Sequence, residues 1–206
     1  MAVTDLGLLR VLSLKGLAGE QAVHDALRTG DSRARIDAAL AAGDVRELPR
    51  GFALTPQGRA GVAEGIAAEA GAVDGPAIDA LYERFCTLNA AFKALMRDWQ
   101  VRQTADGEVP NDHGDDAYDD ALVERLGTIH QELTPLLDAI VAVAPRLAGC
   151  APRFADALAA LRAGDKAMMA RPMIDSYHTV WFELHEDLIG LTGRTRAAEA
   201  AAGRGD

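Results

Sequence analysis

The chain has 206 residues, 49% of them hydrophobic and 25% charged, with a net charge of −10. That balance fits a folded globular protein and excludes intrinsic disorder, and the length sets a prior of one or two domains. No apolar run reaches the roughly 18 residues that a bilayer-spanning helix needs, and two distant cysteines, Cys86 and Cys150, exclude a disulfide framework.

The start, MAVTDLGLLRVLSLKG, lacks a basic segment and a small-residue cleavage site, so no secretion signal is read and a cytoplasmic location is expected. Charge is unevenly spread. Residues 1–70 carry 8 Lys+Arg and 9 Asp+Glu, while residues 71–206 carry 13 and 22. The acidic second part repels nucleic acid and anionic membranes. Any DNA contact is therefore expected in the first 70 residues.

Helix formers dominate, and aromatic residues are only 5%. A first helix is predicted from about Asp5 to Leu14, with Leu8, Leu9 and Leu12 on one face. A second runs from Gly19 to Leu27. Gly30 and Asp31 mark a turn, and Ser32 is an N-cap candidate for a third helix that points Ile36 and Leu40 inward and ends at Gly43. Val45 to Thr55 reads as two short strands around Pro49-Arg50-Gly51, a hairpin signal. A fourth helix spans Gly58 to Ala70. Helix–helix–helix–hairpin–helix is the order of a winged helix-turn-helix.

Gly71 to Pro76 is the best boundary. From Ala77 to about Gln103, Leu81, Phe85, Leu88, Phe92, Leu95 and Trp99 recur at heptad-like spacing. Residues 104–117 read as an acidic loop, and a second long helix follows from Asp119 to Ala144 with Pro135 inside it. Further helices are predicted from Arg153 to Ala163 and from Lys166 to Leu191, interrupted near Pro172. The fold class is thus mainly α: a winged-helix domain over 1–72, an all-α bundle over 76–193 and a flexible tail over 194–206.

The first chemical signal is the head. A winged helix places its third helix in the major groove and its hairpin along a phosphate backbone. Ser32, Arg33 and Arg35 open that helix, Arg46 and Arg50 lie on the hairpin, and Arg59 follows. Ser32, Arg33, Arg35, Arg46 and Arg50 are the candidate DNA-binding residues, with Asp37 and Asp44 nearby as opposing charges. The alternative is a head that packs on protein.

The second signal is a set of polar residues on apolar helices. Asn89, Lys93, Asp98 and Trp99 lie on the long helix, and Asp175, Tyr177 and His178 begin the last one. Together they are candidates for an effector pocket between helices, the usual place for ligands in bundles. The alternative is a hydrogen-bonded core that fixes register. His178 and His185, seven residues apart, would need a third ligand from His130, Asp98 or His113 to hold a metal, and no metal site or cofactor is assigned. The loop Asn111 to Asp116 misses EF-hand spacing. No nucleophilic or hydrolytic motif is present, so no catalytic residue is named and an enzyme is not expected.

The segment Phe52-Ala-Leu-Thr-Pro-Gln-Gly-Arg59, preceded by Ile36 to Val45, resembles the wing-closing region of MarR-type and PadR-type regulators over about residues 8–65. That resemblance implies a DNA-binding transcriptional regulator. It would act as a homodimer on double-stranded DNA, with a bundle that dimerises and senses a small effector. The Leu81–Trp99 stripe is the dimer-seam candidate, with an intrachain core as the equal alternative. Leu161 to Asp165 followed by His178 resembles the last helices of the FCD effector domain of GntR regulators, with the histidine displaced by about two residues. Across nearly the whole chain, LNAAFKALMRDWQ, NDHGDDAYD and RPMIDSYHTVWFELHEDLIGL resemble the tail region of actinobacterial proteins that contain a phosphoenolpyruvate/pyruvate-binding domain. That likeness implies a non-catalytic accessory module docking on a phosphoenolpyruvate/pyruvate-utilising partner.

Overall fold

A computed structural model describes residues 5–105 and 107–204, and within them the chain is mainly helical. No helix among these residues is long and apolar enough to cross a membrane. The first four N-terminal residues and the start of the N-terminal reading above lie outside the described part.

The head begins with α1 (Leu6–Lys15), α2 (Glu20–Leu27) and α3 (Ser32–Ala42). Asp5 caps α1 by accepting from the Leu8 amide, and Gly16 closes it at φ +70°. Ser32 is not the cap of α3. It is the first helical residue, buried, and Asp31 stands before it.

Strands β1 (Val45–Leu48) and β2 (Gly51–Leu54) pair antiparallel, with Val45 opposite Leu54 and Leu48 opposite Gly51. Two glycines make this hairpin possible. A Cβ on Gly51, at φ +136°, would sit 2.3 Å from the Ala18 carbonyl oxygen, where Ala18 and Phe52 exchange backbone hydrogen bonds. A Cβ on Gly58 would sit 2.1 Å from the Asp44 carbonyl oxygen. Gly58 lies in the first turn of α4 (Pro56–Ala72), capped by Thr55. Leu8, Leu9, Leu12, Val23, Ile36, Phe52 and Val62 form one apolar core around these elements.

Asp74 caps the long α5 (Gly75–Gln100), which packs along α6 (Asp116–Val143). The whole stripe from Leu81 to Trp99 is buried in a second core shared with α6, α7 (Cys150–Arg162) and α9 (Tyr177–Leu191). This intrachain burial takes the stripe away from any dimer seam.

The expected loop over 104–117 is partly a second hairpin, β3 (Val101–Thr104) with β4 (Gly107–Pro110), and Asp106 lies outside the described residues. The helix predicted from Lys166 is cut in two: a single turn, α8 (Ala167–Ala170), then α9 restarting behind the Ser176 cap. Pro172 stops the first piece, and Met173 follows at φ +68°. Residues from Arg194, expected to be a flexible tail, instead form α10 (Arg196–Ala201). Glu199 is buried there, accepting from Tyr82 Oη at 2.7 Å and from Arg204 Nε at 2.7 Å.

Candidate functional site

The polar chemistry concentrates where the head meets the bundle. The apolar face of α1 fills the head core, which leaves Arg10 and Lys15 pointing the other way. They meet carboxylates displayed by α9 and its N-terminal approach. Lys15 Nζ lies 3.0 Å from Asp175 and 2.9 Å from Glu183. From the bundle side, Arg153 grips the same two acids, with Nε 2.7 Å from Asp175 Oδ2 and Nη2 2.6 Å from Glu183 Oε2.

One turn along α9, Asp187 accepts from Arg10 Nε at 2.8 Å and Arg146 Nη1 at 3.0 Å, and Arg146 also forks onto Glu69 of α4. Four cations face four carboxylates, so the cluster is neutral as a whole. Arg153, Glu183 and Asp187 are almost fully buried. Burial pushes the Asp175 carboxyl up, but Arg153 and Lys15 outweigh that and hold it below the usual carboxylate range. Beside them, burial pushes the Cys150 thiol up to about 12, which keeps it protonated and unreactive.

Two cavities flank this network. One, of about 540 Å³, lies between α1, α2 and the bundle's 3₁₀ turn (Pro145–Gly149), walled by Arg10, Arg35, Arg146 and Asp187. The other, of about 690 Å³, lies between the α1–α2 link, the hairpin turn and α9. Its walls are mostly apolar, among them Leu14, Leu17, Ala22, Met173 and Phe182, with Lys15, Arg50, His178, Thr179 and Glu183 as the polar members.

The residues read from sequence as DNA-binding are placed as follows. Ser32 is buried, its Oγ 3.2 Å from His24 Nδ1. Arg33 is exposed and tied to Glu20 at 3.1 Å and Asp37 at 2.8 Å. Arg35 is turned back onto Asp5 and Thr29. Arg28 reaches Asp156 of the bundle at 2.5 Å. Asp44 is buried and accepts from Gln57. Arg46 and Arg50 are exposed, and Arg59 donates to the Leu54 carbonyl; none of these three pairs with a carboxylate among the described residues. The outward positions of α3 are Arg33, Ala34, Asp37, Ala38, Ala41 and Ala42.

The expected effector residues disperse. Asn89, Lys93 and His178 do come together, lining a cavity of about 230 Å³ between α5 and α9. Asn89 is held there by Trp181 Nε1 at 2.8 Å. Asp98 is drawn off to Arg125 at 2.6 Å, and Trp99 is buried against the His113 ring. Asp175 belongs to the ionic seam. Tyr177 is core, its hydroxyl 3.2 Å from His130 Nδ1. The histidines go to separate surroundings, His185 lying 3.3 Å from Tyr82 Oη and His113 beside Asp119. No cluster of three or more His, Cys, Asp or Glu among the described residues is arranged to hold a metal.

Arg10, Lys15, Glu69, Arg146, Arg153, Glu183 and Asp187 are functional candidates that the sequence reading missed. One signal was available. Glu183 and Asp187 stand four apart inside the apolar run WFELHEDLIGL, where a buried helix face must find partners for them. Compared with family models, with curated proteins and with solved structures, the chain matches none of them.

Proposed function

We propose that the chain is a non-catalytic accessory module, with a MarR/PadR-like winged-helix head over 1–72 and a helical body over 76–193. It docks on a protein partner, a phosphoenolpyruvate/pyruvate-utilising enzyme. The observation that carries this reading is the state of the head's cations. Arg10, Lys15, Arg28, Arg33 and Arg35 are each engaged by a carboxylate. The outer face of α3 is alanine and aspartate apart from Arg33. Direct readout needs Arg, Lys, Asn or Gln reaching base edges, and affinity for DNA needs several phosphate contacts. A surface of this kind is better matched to protein. The test is calorimetric titration of the purified chain into phosphoenolpyruvate- and pyruvate-binding enzymes of its own organism. Saturable binding of one of them supports the reading, and no heat with any of them ends it.

A second reading is a homodimeric DNA-binding regulator, with Asn89, Lys93 and His178 lining an effector pocket. It is favoured by Arg46, Arg50 and Arg59 on the hairpin and the start of α4, three cations without a carboxylate partner among the described residues. Gel retardation on the gene's own upstream DNA, weakening between about 50 and 200 mM salt, would support it. Loss of that retardation in the triple alanine variant of these arginines would assign it to them. Unretarded DNA at low salt ends it.

A further inference from the structure

We infer that the cleft between the hairpin turn and α9 is a docking groove for an acidic, apolar segment of a partner protein; this deepens the protein-docking reading and rests on it. Three independent features meet at this cleft.

The first is its length. The cavity of about 690 Å³ and the smaller, more polar cavity of about 230 Å³ share His178 and Phe182, so the two are neighbours, one toward the α1–α2 link and the other toward α5, with these two side chains between them. A small molecule would fill one of them. An extended or helical peptide segment can use both, with successive apolar side chains seated on either side of Phe182.

The second is apolar exposure at the rim. Met173 is 80% exposed and Phe182 is 37% exposed, two of the three large hydrophobic residues left in solvent among the described residues. Met173 also holds a left-handed backbone at φ +68°, a strained conformation for a long side chain, and it presents the thioether at the mouth. Methionine is the side chain that best adapts its shape to a partner.

The third is charge. Arg50 lines the cleft, and Arg171 stands between Ala170 and Pro172, which line it. Both are exposed, and neither pairs with a carboxylate among the described residues. In a chain of 31 acidic and 21 basic residues this is a local reversal of sign. Glu183, the acid at the bottom of the cleft, is already neutralised by Lys15 and Arg153. A partner segment carrying carboxylates beside its apolar anchors complements that mouth, and a basic one is repelled there by Arg50 and Arg171.

The test uses the full chain and two fluorescein-labelled peptides of the same leucine pattern, one with glutamate and one with lysine at every polar position. Fluorescence anisotropy is expected to show saturable binding of the glutamate peptide only. Arg50→Glu with Arg171→Glu is expected to weaken it at least about tenfold, and so is Met173→Asp. All three positions are exposed, and an unchanged circular dichroism melt confirms that the variants fold. Equal binding of both peptides, no binding of either, or affinity indifferent to these substitutions overturns the inference. Octanoate saturating the cleft with no peptide binding overturns it in favour of a small amphiphile. A chain dimer in light scattering that Met173→Asp dissociates overturns it in favour of a second copy. The protein-docking reading is judged separately: if a partner enzyme binds the wild-type chain and the Met173→Asp variant equally, that reading stands and only the groove falls.

Discussion

The head carries ion pairs of two kinds, and their surroundings differ more than their geometry. On its outer face Arg33 joins Glu20 and Asp37, and all three side chains are about half exposed. On its inner face Arg10 and Lys15 enter a cluster in which Arg153 is 4% and Glu183 7% exposed. Pairs in water exchange hydration for contact at almost no net gain. Pairs in the seam have lost their water, so each member depends on its partners. Charge on the outer face therefore tunes encounter, whereas charge at the seam decides how the head sits on the body.

The largest expected effect comes from opening that buried cluster. Arg153→Ala leaves Asp175 and Glu183 with Lys15 alone, Glu183 being almost fully buried and Asp175 partly so. Removing one partner of a buried pair typically costs about 3–5 kcal/mol. Urea denaturation should show a loss of that order with an unchanged slope. A loss below about 1 kcal/mol would mean that water reaches the seam, and the contrast between the two faces would dissolve.

The next effect is steric and lies inside the head. Gly58→Ala brings a methyl group against the Asp44 carbonyl, and Gly51→Ala brings one against the Ala18 carbonyl at a positive φ. Both contacts are with backbone, which cannot swing aside, so each variant should lose roughly 2 kcal/mol or more. Gly61 is the control. It lies in the same helix as Gly58, and its Cβ would meet only Leu9 Cδ1 at 3.5 Å. Gly61→Ala should be neutral or gain up to about 1 kcal/mol through helix propensity. If all three behave alike, the hairpin is not fixed by these close approaches.

These cases show what the sequence could and could not display. The helices were legible because apolar spacing is a local signal, in Leu8, Leu9 and Leu12 and in the Leu81–Trp99 stripe, whereas the caps were not: Ser32, the one read from sequence, lies inside α3, and Asp5, Thr55 and Asp74 went unread. The hairpin was legible from Pro49-Arg50-Gly51. The seam was not, because Lys15 and Glu183 are 168 positions apart and nothing local marks two charges as future partners. The tail misled for the same reason. An Ala/Gly/Arg-rich end reads as frayed until Tyr82, 117 positions away, supplies a donor for Glu199. Candidate effector residues were chosen by their polarity in apolar helices, and tertiary partners such as Arg125 and Arg153 divided them.

Acid separates the seam from the rest of the body with a smaller effect. Asp175 has a folded pKa below its unfolded value of about 3.9. Its contribution is therefore fully present above that value and disappears as pH falls through the folded one. His130 titrates earlier. Burial lowers its pKa and Arg162 adds repulsion, so below about 6.5 the unfolded chain takes up the proton first. Stability should fall as pH drops through that window. Chemical denaturation of the wild type is expected to show two descending steps on acidification. His130→Gln should remove the upper step, and Asp175→Asn should shrink the lower one, which Asp5, Asp119 and Glu199 share because their carboxyls are also held low. A His130→Gln profile parallel to that of the wild type would show that the imidazole is as hydrated folded as unfolded.

The smallest expected effect closes the comparison from its other side. Arg33→Ala removes a guanidinium whose two partners remain hydrated on an open face, so thermal midpoints should match the wild type within error at low and high salt. That null result is informative because Arg33 also lies 6.0 Å from the Phe52 ring centroid, close enough to stiffen the hairpin if the contact were desolvated. A loss resembling that of Arg153→Ala would place α3 out of contact with water in solution. The alanine-rich face would then be a covered interface between copies of the chain, and the cations to examine for partner contact would be those on the hairpin alone.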